Sequence, residues 1–70
     1  MIQRMSPEEE ASLILSDVFD GDETAKESCL RSLAEMYDKI YESLSVEELN
    51  ELIIEYEDDL YTLSDQYNAA

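Results

Sequence analysis

Nineteen of the 70 side chains are Asp or Glu, against four Lys or Arg and no His. Carboxylates in that number must form some close pairs. A close pair can hold a metal ion, or can separate into an acid and a base where burial drives the two pKa values apart. That separation needs a desolvated pocket, and a chain this short encloses little volume for one. Without His, neither a histidine metal site nor a His-based nucleophilic relay can be assembled. Cys29 is the single cysteine, so an internal disulfide is excluded and a reducing compartment, by default the cytoplasm, is expected. The chemistry open to this chain is electrostatic recognition. No catalysis and no cofactor or metal are expected.

The carboxylates are unevenly placed. Residues 1–21 carry −4, residues 22–44 carry −3 and residues 45–70 carry −8 of the formal −15. From Leu44 to Ala70 there is no Lys or Arg at all. In that stretch Val46, Leu49, Ile53, Tyr56, Leu60, Leu63 and Tyr67 recur at alternating steps of three and four. That spacing is the apolar seam of an amphipathic helix. The opposite side carries Glu48, Glu51, Glu55, Asp58 and Asp65. The residues singled out as a partner-binding face are Glu48, Glu51, Glu55, Asp58 and Asp59. Ile54 and Tyr61, seven apart and off the seam, are its apolar anchors, tyrosine being enriched at interface hot spots.

Three elements have to position these groups. Ser6-Pro7-Glu8-Glu9 is a helix start, with Ser6 as cap and Pro7 at the first helical position. That helix, about 7–19, buries Ala11, Ile14, Leu15, Val18 and Phe19 and stops at Gly21, the only glycine. Thr24 to Glu27 reads as a second capping box. It opens a helix over about 24–43 whose apolar positions are Leu30, Leu33, Tyr37, Ile40 and Leu44, widened by Cys29, Ala34, Met36 and Tyr41. Lys39 falls four residues after Glu35, the favourable order for an ion pair. Ser45 to Glu48 is a third capping box, with Leu44 placed to staple onto Leu49. It opens a helix over about 46–67, roughly 33 Å long. The fold expected is an all-α, three-helix antiparallel bundle forming one domain over 1–70, with Met1 to Met5 as a frayed lead-in. A core this small is marginal by itself, so a homodimer is expected to share the wide stripes. No apolar run exceeds three residues, and the acidic start Ser6 to Glu10 argues against a secretory signal.

Two motifs suggest other chemistry. Asp20-Gly21-Asp22 with Glu27 matches part of a calcium loop, but the first and third liganding positions fall on Ser16 and Val18. A valine offers no oxygen, so a helix C-cap followed by an N-cap is the preferred reading. Glu42-Ser43-Leu44-Ser45 before Val46-Glu47-Glu48-Leu49 resembles the prosthetic-group site of acyl carrier proteins, and that resemblance would make Ser43 the attachment serine. Glu42 stands where that family has aspartate, and too little chain follows to supply its last helices.

In overall character the chain resembles small acidic helical phage-type inhibitors of bacterial defence, the anti-CRISPR and anti-restriction DNA mimics. The resemblance is one of type and rests on no family-specific motif. It implies a non-enzymatic inhibitor that binds a basic nucleic-acid-binding protein, such as a CRISPR effector or restriction complex, in the host cytoplasm. Direct contact with nucleic acid or membrane is not expected of so acidic a surface. The alternative is a helical adaptor, antitoxin or assembly chaperone that docks through an apolar stripe. Crowding of the carboxylates also predicts raised pKa values, and so stability that falls as pH rises.

Overall fold

Four helices, rather than three, make up the computed structural model, which describes residues 5–69. They are α1 (Pro7–Phe19), α2 (Glu23–Met36), α3 (Val46–Glu55) and α4 (Glu57–Ala69), with a short 3-10 turn at Tyr41–Ser43. No strand occurs among the described residues. Of the expected lead-in, residues 1–4, including Arg4, lie outside the described residues.

The first helix begins and ends where its sequence signals place it. The Ser6 hydroxyl accepts from the Glu9 N–H at 3.3 Å, and Pro7 occupies the first turn. At the other end Asp20 turns left-handed at φ 46, followed by Gly21 at φ 85. The cap of α2 differs from expectation. Asp22, not Thr24, is the N-cap, and its carboxylate accepts from the Ala25 N–H at 3.1 Å. A carboxylate at this position satisfies a free N–H and also meets the positive end of the helix dipole, which a threonine hydroxyl does not.

The second helix stops at Met36, seven residues before the expected end. Asp38 adopts φ 58. The Asp38 N–H donates to the Glu35 carbonyl at 3.1 Å, and the Lys39 N–H to that of Ala34 at 2.8 Å. This is a Schellman closure with aspartate in the place usually held by glycine. Aspartate tolerates the left-handed region better than most residues, which makes the stop hard to see in the sequence. Its consequence is that Ile40, expected in the core, is 68% exposed.

The long C-terminal helix is bent. Tyr56 departs to φ −114 and ψ 38, yet its N–H still donates to the Leu52 carbonyl at 3.0 Å and its carbonyl accepts from Leu60 at 3.2 Å. No proline or glycine forces the bend. In a straight helix Glu55 and Asp59 would stand one turn apart, and such a like-charge pair costs a few tenths of a kcal/mol. The bend also places Glu57, Asp58 and Asp59 in the first turn of α4, where the dipole favours carboxylates. Packing supplies the remaining reason, because α3 lies chiefly against α1 and α4 chiefly against α2. A single straight rod could not follow both neighbours.

One contiguous core results, with Leu30, Leu33, Ile53 and Leu60 as its fully buried large side chains. Each such residue contributes about 1.5–3 kcal/mol of transfer free energy. The expected seam survives at its centre, Ile53 and Leu60, and fails at its ends: Val46 is 71% exposed and Tyr67 is also exposed. Leu52 and Ser64, off the expected seam, are buried as well. No helix among the described residues is long and apolar enough to cross a membrane.

Candidate functional site

The acidic face is built on α3. Ser45 starts the helix through a complete capping box: the Glu48 N–H donates to the Ser45 hydroxyl at 3.1 Å, and the Ser45 N–H donates to the Glu48 carboxylate at 3.0 Å. The backbone donor at Ser45, then its hydroxyl, hold the Glu48 carboxyl below the usual glutamate range, with a smaller contribution from the Lys39 charge. Glu48 is thus committed to the helix start. Glu51 and Glu55 are exposed and have no hydrogen-bond or ion-pair partner among the described residues. Together with Glu48, Leu52, Tyr56 and Lys39 they line a shallow cavity of about 250 Å³.

Lys39 corrects the picture of an acidic row with no cation near it. The sequence places no positive charge from residue 44 onward, but the Schellman turn after α2 carries Lys39 up to α3. The expected Glu35–Lys39 ion pair is not among the pairs of the described residues, because the helix has ended before Lys39. The other two described cations are engaged elsewhere. Lys26 pairs with Glu23 at 2.7 Å. Arg31 bridges Glu27, at 3.2 Å, and Glu42, and lies 5.1 Å from the centroid of the Tyr41 ring. The Arg31 bond pulls the Glu42 carboxyl down. Both carboxylates with a perturbed pKa, Glu42 and Glu48, are therefore lowered, opposite to the rise expected from crowding. Specific donors within hydrogen-bond reach outweigh diffuse repulsion that water screens.

Past the bend the carboxylates are put to other uses. Asp58 is exposed, and only its backbone carbonyl is engaged, by Thr62 Oγ1 at 3.2 Å. Asp59 is half-buried and accepts from the Tyr37 hydroxyl at 2.5 Å. The Tyr37 ring in turn stacks on Tyr56, with centroids 3.8 Å apart and planes 18° apart. This cluster clamps the end of α2 to the bend, and the Asp59 bond raises the Tyr37 pKa to about 12. Of the two proposed anchors, Ile54 is half-buried against the core, while Tyr61 is 38% exposed and donates its hydroxyl to Asp17 of α1. That bond raises the Tyr61 pKa to about 12. The structure thus gathers Glu48, Glu51 and Glu55 on one face, leaves Asp58 free, and draws Asp59 and Tyr61 into internal contacts.

Sequence reasoning missed Lys39 and Asp17 as members of these clusters. Neither has a local signal, since each meets its partner only through tertiary packing. Cys29 is buried, and burial followed by the nearby Asp22 charge pushes its thiol pKa up, as suits an unreactive packing residue. Among the described residues no group of three acidic, Cys or His side chains is placed to hold a metal ion. No protein-family model matches the chain, and no curated protein or solved structure matches it.

Proposed function

We propose that the chain is a non-enzymatic inhibitor acting in the host cytoplasm. It would bind a basic nucleic-acid-binding protein, such as a CRISPR effector or restriction complex, and occlude its nucleic-acid path by acidic charge mimicry. The observation that carries the reading is the set of unpartnered, exposed carboxylates Glu51, Glu55 and Asp58 on one elongated, strongly negative body. The longest extent is 44 Å and the net charge −15, about one charge per 3 Å. Duplex DNA carries one per about 1.7 Å of axis. A ligand of just over half that linear density suits a groove lined with Lys and Arg, and a charged groove also speeds the encounter.

The test is a pull-down from bacterial lysate at low and high salt, followed by competition between this protein and duplex DNA for whatever is captured. Under charge mimicry the duplex displaces the protein, affinity falls steeply with salt, and reversing Glu51, Glu55 and Asp58 to Lys abolishes binding. Ile54→Ala matters less. Failure of the duplex to compete sinks the reading.

A second reading, the helical adaptor, antitoxin or assembly chaperone, draws on Ile40 and Val46, which are 68% and 71% exposed. Under it the apolar substitutions dominate and salt has little effect. The acyl-carrier reading is weakened by the surroundings of Ser43, which ends a 3-10 turn held by Arg31 and Glu42 instead of following a long loop. Mass spectrometry showing no prosthetic group on Ser43 after co-expression with a transferase would remove it.

A further inference from the structure

A second surface, on the α1 and α4 side, sets exposed apolar side chains among carboxylates. Met5, Leu13 and Ile14 form the apolar part of an open groove of about 440 Å³, whose polar lining is Glu10, Asp17 and Glu57. Leu13 is 56% exposed and Met5 49%, although both are large apolar side chains. Tyr61 stands at the edge, tied by its hydroxyl to Asp17. Among the described residues no cation lines the groove, and the described cations Lys26, Arg31 and Lys39 are held or placed elsewhere.

We propose that this groove is a docking site for a cationic amphipathic segment of a partner protein, one apolar side chain seated on Leu13 and Met5 with flanking Lys or Arg facing Glu10, Asp17 and Glu57. The choice of occupant rests on charge. A second copy of this chain would bring three more carboxylates against the three already there, and like charges set opposite each other oppose association. A purely polar basic segment would leave Leu13 and Met5 in water and gain only screened ion pairs. An apolar residue flanked by cations satisfies both parts of the lining. This site does not depend on the α3 carboxylates, so it stands or falls separately from the charge-mimicry reading.

The test uses two synthetic helical peptides of equal charge as probes, one of Leu and Lys with a leucine stripe and one of Lys and Ala. Chemical shifts in the full chain should move at Leu13, Ile14, Asp17, Glu57 and Tyr61 when the Leu/Lys peptide is added. Leu13→Ser, at an exposed position that keeps the fold, should weaken that peptide at least about tenfold while leaving the Lys/Ala peptide unchanged. Met5→Ser should act in the same direction. Glu51→Gln with Glu55→Gln should leave the Leu/Lys peptide within about twofold. Three results would overturn the proposal: shifts spread over all carboxylates, equal loss for both peptides, or a dimer in sedimentation experiments that Leu13→Ser dissolves.

Discussion

The halves of the bent C-terminal stretch are alike in composition and opposite in availability. In α3, Glu51 and Glu55 stand in solvent with no partner among the described residues, and Glu48 alone is tied to the helix start. In α4, Asp59 is held by Tyr37, Glu57 lines the groove with α1, and Tyr61 is tied to Asp17. Two runs of acidic residues in one chain thus have different roles. A carboxylate's role is decided by the donors that tertiary packing brings to it. Glu51 and Glu55 of α3, and Asp58 just past the bend, are free for a partner without loss to the fold, whereas Glu48 and Asp59 already serve it.

The largest test of this division lies beneath both halves. Ile53→Ala in α3 and Leu60→Ala in α4 should each cost about 2–5 kcal/mol in urea unfolding, since both side chains are fully buried. A clear asymmetry, with one of them nearly neutral, would mean that one half is not part of a shared core. Next comes Tyr37→Phe, which removes the bond to Asp59 and should lower the urea midpoint less than either core truncation. The same bond has a pH signature. The Tyr37 pKa rises from 10.0 to about 12 in the fold, so the folded state keeps its proton longer than the unfolded state. The resulting stability is complete below the unfolded value and is lost as pH rises through about 12. Phenolate absorbance should show two tyrosines, Tyr37 and Tyr61, ionising late, and Tyr37→Phe should remove one of them.

Ser45→Ala should cost about 1 kcal/mol through the lost cap. The Glu48 carboxyl should titrate below the ordinary glutamate value by NMR, and its contribution should vanish as pH falls through that lowered value. An ordinary Glu48 titration would break the link between the cap and the site. Asp38→Gly should stabilise by up to about 1 kcal/mol by relieving the left-handed residue, and Asp38→Ala should destabilise. The smallest effect is expected at Glu51→Gln with Glu55→Gln, where relief of repulsion should raise stability by a few tenths of a kcal/mol. A loss above about 1 kcal/mol there would show that the α3 carboxylates are structural after all.

Local signals were legible wherever the sequence contains the whole device. Ser6 with Pro7, Gly21, and Ser45 with Glu48 are self-contained, because cap and donor lie within a few residues of each other. The same holds for the all-helical class and for Ile53 and Leu60 at the centre of the seam. Legibility failed where two local solutions compete. Asp22 outbids Thr24 as a cap, and Asp38 ends α2 in the place of a glycine. Of the binding face, Glu51, Glu55 and Asp58 lie exposed as their spacing implied, while Asp59 and Tyr61 are engaged by residues far away in the chain.

The sequence by itself determined that this is a helical chain with a large surplus of negative charge, concentrated after residue 44. Both follow from composition and from periodicity of three and four, which operate over a turn or two of helix. Tertiary structure decided the bend at Tyr56, the arrival of Lys39 beside Glu48, and the exposure of Leu13 and Val46. Those depend on which helices become neighbours, since a helix must bend to follow two partners and an apolar side chain stays in water where no neighbour covers it.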